Sequence, residues 1–134
     1  MLKRFITVGA LLGGLAVALG AFGAHGLEKV TDDQKVLHGF ATGVQYQLYH
    51  ALALLLTAAL LDKGSAKWMN WAGNCFITGI ILFSGSLYLL TFLKIQASGA
   101  IRFVGPITPL GGLFFIAGWV FLLIAFVRKP VTGK

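Results

Sequence analysis

The chain has 134 residues, of which 57% are hydrophobic and 11% charged, with 18 glycines and a mean hydropathy of +0.86. A soluble domain carries about 25% charged residues, so too little charge is present to cover a surface in water, and a bilayer is predicted as the solvent. The formal net charge is +7, but the basic residues sit singly or in pairs at the ends of apolar stretches. No basic face with interleaved aromatics exists, which argues against a nucleic-acid partner.

Four uncharged stretches, 5–24, 36–61, 68–93 and 103–127, follow one another along the chain. About twenty apolar residues cross a hydrocarbon core, so the predicted architecture is all-α: a four-helix integral membrane bundle filling a single transmembrane domain, 1–134. The spans are placed at about 5–25, 42–61, 68–93 and 106–127.

The first span opens with Met-Leu-Lys-Arg, an acceptable signal-peptide start, and Ala21-Phe22-Gly23 resembles a cleavage site. Its apolar stretch exceeds a signal peptide's core, and we read it as a membrane span. Gly9, Gly13, Ala16, Gly20 and Gly23 recur at four- and three-residue spacing and share one stripe. Small residues so arranged let another helix backbone approach closely, the main route to helix association in lipid.

Between the first two spans, "VTDDQKVLHGF" reads as a helix start. Thr31 is the predicted cap and Gln34 completes a capping box, with Asp32 and Asp33 favoured by the helix dipole. Val30, Leu37, Phe40, Ala41, Val44 and Leu48 recur at helical spacing, predicting a short amphipathic segment that bends into, or continues as, the second span. In that span Gly39, Gly43, Tyr46, His50 and Thr57 form a stripe predicted to face the bundle. Leu48, Leu52 and Leu55 are predicted to face lipid.

In the third span Ser84, Tyr88 and Thr91 share a predicted face with Gly73 and Ile77, and Trp68 and Trp71 stand at the interface. Cys75, the only cysteine, allows no intrachain disulfide and reads as a small buried hydrophobe. The fourth span opens with "GPITPLGG": Thr108 is its predicted cap, Pro109 its first helical residue, and Gly105-Pro106 a turn or short broken stretch. Gly111, Gly118 and Ala125 form a last small-residue stripe.

Across these spans Lys3, Arg4, Lys63, Lys67, Arg128, Lys129 and Lys134 fall on one side. Lys29, Lys35, Lys94 and Arg102 fall on the other, with Glu28, Asp32 and Asp33. The positive-inside rule then places both termini in the cytoplasm. On this orientation His25, Tyr46, Tyr49, His50, Ser84, Ser86, Tyr88 and Thr108 all belong to the outer half, with Thr7, Thr57, Asn74 and Thr78 in the inner half.

An ionisable group inside a span is costly unless partnered, which makes His50 the sharpest candidate. Tyr46, one turn away, is in reach of it, and His25 is expected near it at a neighbouring helix end. A neutral histidine that locks helices together is the structural alternative. Two histidines can ligate haem between helices, but only one here is deep. His25 and Glu28 could meet a divalent metal, yet His38 lies about 120° from His50 and no three-histidine face forms. Ser84 and Ser86 have no acidic orienter in the spans for acyl transfer, and no intramembrane carboxylate serves proton coupling. No catalytic residue, metal ligand or cofactor is assigned. The eight outer-half residues are assigned as a pocket for a small molecule or lipid, as tyrosine, serine and histidine without buried charge would form.

Four ordered segments, "GAFGAHGL", "YQLYHALALL", "LFSGSLYLL" and "ITPLGGLFFIAGW", resemble the small four-pass bacterial family catalogued as domain of unknown function four-two-three, the YgdD/YwdK-like proteins. The resemblance covers essentially the whole chain. Its matching positions include Gly23, His25, Gly26, Tyr46, Tyr49, His50, Gly85, Ser86, Tyr88, Thr108, Pro109, Gly111, Gly112 and Trp119. The stretch "KIQASGAIRFVG" is longer and more basic than the family's usual connection. The resemblance implies a four-helix protein of the bacterial inner membrane and no particular activity. Expected partners are membrane lipids, with either a second copy or another membrane protein. The alternative function is an accessory or assembly subunit of a larger complex.

Overall fold

The computed structural model describes residues 1–128, so Lys129 and Lys134, used above to orient the chain, lie outside the described residues. The elements are α1 (Leu2–His25), a 3₁₀ turn (Leu27–Lys29), α2 (Gln34–Ala59), α3 (Ala66–Gly79), a π turn (Ile80–Ser84), α4 (Gly85–Ile95), α5 (Ile101–Val104) and α6 (Ile107–Val127). No strand occurs among the described residues. Three helical stretches are long and apolar enough to cross a membrane: Leu2–Lys29, Ala66–Ile95 and Ile101–Val127.

The fourth long helix, α2, is less apolar because of where it sits. Ten of its residues are buried, against four in α6, and it packs along α1 on one side and along α3, the π turn and α4 on the other. A helix covered by protein on most sides can carry Gln47, His50 and Thr57, all buried. The peripheral helices face outward with Leu11, Val17, Leu113, Ile116 and Leu123, each more than 60% exposed. In water such a perimeter would aggregate; in lipid it is at rest.

Several glycines stand where a β-carbon would meet a neighbouring helix. A β-carbon at Gly9 would press on Leu55, at Gly23 on Phe40, and at Gly118 on Phe76. At Gly111 it would overlap the Phe83 backbone, and at Gly73 the Phe5 ring. Gly20 meets Val44 and Gly43 meets Tyr88, whereas Gly13 has only an ordinary contact with Ala51. Gly39 would have nothing within 4 Å of an added β-carbon and makes no close approach. Leu55 faces α1 rather than lipid, since α1 covers that side of α2.

Several helix ends differ from expectation. Asp33, not Thr31, caps α2, accepting from the Lys35 N–H at 3.0 Å; Thr31 accepts from the Asp33 N–H, and Gln34 turns to the Asp32 carbonyl. The Asp33 carboxylate, two residues later, is the stronger acceptor. The amphipathic segment is simply the first turns of α2. Thr108 does not cap α6, whose N-cap is Pro106; its hydroxyl is taken by Ser86 of α4. The short α5 precedes the Gly105-Pro106 turn.

Candidate functional site

A π turn interrupts the third helix between its two polar stretches. An i→i+5 turn takes up about one more residue than an α turn, yet Ile77 before it packs on Leu54 and Ala58 of α2, the helix that Ser84 and Tyr88 also meet. Gly73 meets Phe5 of α1, whereas Ser84 donates to the Gly43 carbonyl of α2 at 2.6 Å. Ser86 bonds to the Phe83 carbonyl and to Thr108.

The eight predicted pocket residues therefore do not line one cavity. They separate into three groups and an outlier. In the first, Tyr88 of α4 donates to Gln47 Oε1 at 2.6 Å, and Gln47 Nε2 donates to the Leu12 carbonyl of α1 at 2.8 Å. Gln47, 2% exposed, thus ties three helices together, with Ser84 adding a bond one turn away. The residue reading passed over Gln47; the signal available was an amide flanked by apolar helix, whose four hydrogen-bonding positions demand partners in lipid. In the second group, Ser86 and Thr108 join α4 to α6.

The third group holds His50, which is 5% exposed. Its Nδ1 lies 2.8 Å from the Tyr46 backbone carbonyl, and its Nε2 lies 3.1 Å from the Trp119 indole nitrogen. An indole N–H only donates and a carbonyl only accepts. Both partners therefore require the neutral, Nδ1-protonated tautomer. The Tyr46 contribution comes from its backbone, since helical geometry places that carbonyl, not the hydroxyl, beside a ring four residues later. Phe115 stacks on the imidazole at a centroid separation of 3.6 Å and 8°. Both ring nitrogens are engaged, and His50 fastens α2 to α6. His25, the outlier, is exposed at the end of α1 and shares no hydrogen bond or ring contact with His50; Tyr49, 53% exposed, belongs to the edge of the third group, its ring 5.9 Å from that of Tyr46.

Beside His50 a groove of ≈450 Å³ opens between α2, the π turn and α6, lined by Tyr46, Phe83, Gly112, Phe115, Ile116 and Trp119. The Tyr46 ring packs on Phe83 at 4.8 Å, and its hydroxyl makes no hydrogen bond among the described residues. Among those residues no buried side-chain nitrogen or oxygen lacks a partner, and no three His, Cys, Asp or Glu side chains gather as a metal site needs. The groove can accept an apolar molecule with at most one or two polar atoms.

An apolar helical perimeter around a small, fully paired polar interior defines a multi-pass helical membrane protein. The family model described as "Protein of unknown function (DUF423)" matches residues 19–112, and the chain belongs to that family. It is 48% identical to the UPF0382 membrane protein YwdK of Bacillus subtilis, over 95% of this chain and 98% of that one. It is 44% identical to the UPF0382 membrane protein SH2409 of Staphylococcus haemolyticus, over 92% and 95%. To the UPF0382 inner membrane protein YgdD of Escherichia coli K12 it is 38% identical, over 99% and 97%. No solved structure matches. The protein is located in the bacterial inner membrane.

Proposed function

We propose that this is a non-enzymatic four-pass protein with both termini cytoplasmic, which binds an apolar small molecule or lipid chain in the groove beside His50. The observation that carries the reading is the groove itself: aromatic walls, an opening on the bundle's exposed surface at Ile116 and Trp119, and one unengaged hydroxyl, that of Tyr46. Aromatic walls give contact area with little entropy to lose, and one hydroxyl orients a ligand without charge. His50 shapes the wall rather than ligating, because its nitrogens are engaged by Tyr46 and Trp119.

A second reading, an accessory subunit or self-associating unit, is favoured by the outer face of α1. Ala10, Gly14, Ala18 and Ala21 are exposed there, and Gly14 has nothing within 4 Å. Such a row admits another membrane helix.

Gentle extraction followed by native mass measurement separates the two. The groove reading expects a retained small molecule that is lost on Gly112→Phe, which fills the groove, and weakened on Tyr46→Phe. Equal retention in Gly112→Phe contradicts it. A stoichiometric foreign protein, lost when Gly14→Leu is introduced, supports the accessory role instead.

A further inference from the structure

We infer that a second groove, on the outward side of α3 and α6, is a seat for an anionic phospholipid at the basic end of the bundle. This groove neighbours the one beside His50, and Leu113 lines both. It has a volume of ≈530 Å³ and is lined by Trp71, Asn74, Cys75, Thr78, Leu113 and Phe121.

Three of those residues, Trp71, Asn74 and Thr78, follow Lys67 at i+4, i+7 and i+11, so Lys67 stands on the same stripe of α3, one turn nearer the interface. Arg4 reaches it from α1: its Nη2 donates to Asn74 Oδ1 at 2.7 Å and to Asn70 Oδ1 at 3.3 Å. Two cations are thereby gathered where an apolar groove meets the membrane surface. The Arg4 guanidinium is held by neutral amides rather than by a carboxylate, so its charge stays uncompensated by these contacts and keeps donors to spare. Lys3, Lys63 and Arg128 stand at the same end, whose one acid is Asp62.

The occupant follows from charge and shape together. An acyl chain lies against Leu113, Trp71 and Phe121, and its phosphate meets Arg4 and Lys67. Basic pockets between membrane helices take anionic headgroups by this combination. A zwitterionic lipid supplies the chain but cancels the headgroup attraction.

The test uses the full chain in detergent, given an equimolar mixture of phosphatidylglycerol and phosphatidylcholine, with retained lipid identified by native mass measurement. The expected result is one preferentially retained phosphatidylglycerol, with the preference falling about fivefold on Lys67→Gln and again on Arg4→Gln, as about 1 kcal/mol per basic residue implies. Lys67→Gln keeps the test interpretable if Arg4→Gln loosens α1, since Lys67 makes no bond between helices and only overlies Trp68. In parallel, alkylation of Cys75 is expected to slow with phosphatidylglycerol. Equal retention of the two lipids, a preference unchanged in both variants, or displacement of the lipid by inorganic phosphate would overturn the inference.

Discussion

Gln47 holds the bundle at one point: remove its amide and a helical carbonyl on α1 and a hydroxyl on α4 lose a partner together. Interhelical bonds of this kind contribute about 1 kcal/mol each in a membrane. Gln47→Leu is therefore expected to lower stability by about 1–2 kcal/mol in detergent unfolding, and Tyr88→Phe by about 1 kcal/mol. The double variant should cost less than the sum, because the two share one bond. Additive losses would place the effect elsewhere. Two glycines give a sharper contrast. Gly111→Ala drives a β-carbon into the Phe83 backbone, which has no flexible end to give, and should cost about 2–3 kcal/mol. Gly14→Ala meets open space and should cost nothing in the same assay.

At the scale of elements, the π turn and the end of α4 carry separate consequences. Deleting Ile81, which is exposed, should restore an ordinary α turn and leave α3 and α4 in their present relative orientation. Inserting an alanine after Ile81 rotates α4 by about 100° and should strip Ser84 and Tyr88 of their partners. Circular dichroism and thermal aggregation in detergent would separate a folded deletion variant from an unfolded insertion variant; the reverse order would refute this view of the turn. At the far end of α4, Ala97 sits at φ 54° while the Ser98 N–H returns to the Leu93 carbonyl at 2.9 Å. Ala97→Gly should raise stability by about 0.5–1 kcal/mol, as a shift of the unfolding midpoint.

Helix positions were legible in the chain because an uncharged stretch of twenty residues admits few alternatives in lipid. The third helix shows the limit. A π turn leaves composition and length untouched, so no feature of the periodicity announced the one at Ile80–Ser84. For the same reason Ser84, Ser86 and His50 could be marked as interior polar groups, but not sorted into separate ties between different helix pairs. Gln47 was missed because its partners, a backbone carbonyl on α1 and a hydroxyl forty-one residues away, leave no local pattern.

For the whole molecule, the four-pass arrangement proposed above has α2 crossing the membrane between α1 on one side and α3, the π turn and α4 on the other, with Tyr49, Leu52 and Leu56 exposed on its remaining face. This makes its modest hydropathy a result of burial, and it requires that the turn before α2 and the turn after it face opposite sides. A Cys75→Ser background carrying Lys29→Cys, Ser65→Cys or Gly99→Cys one at a time puts this to a direct test with a membrane-impermeant thiol reagent on intact cells. The account predicts labelling at 29 and 99 from outside, and at 65 only after the membrane is opened. Labelling of 29 and 65 from the same side would contradict it.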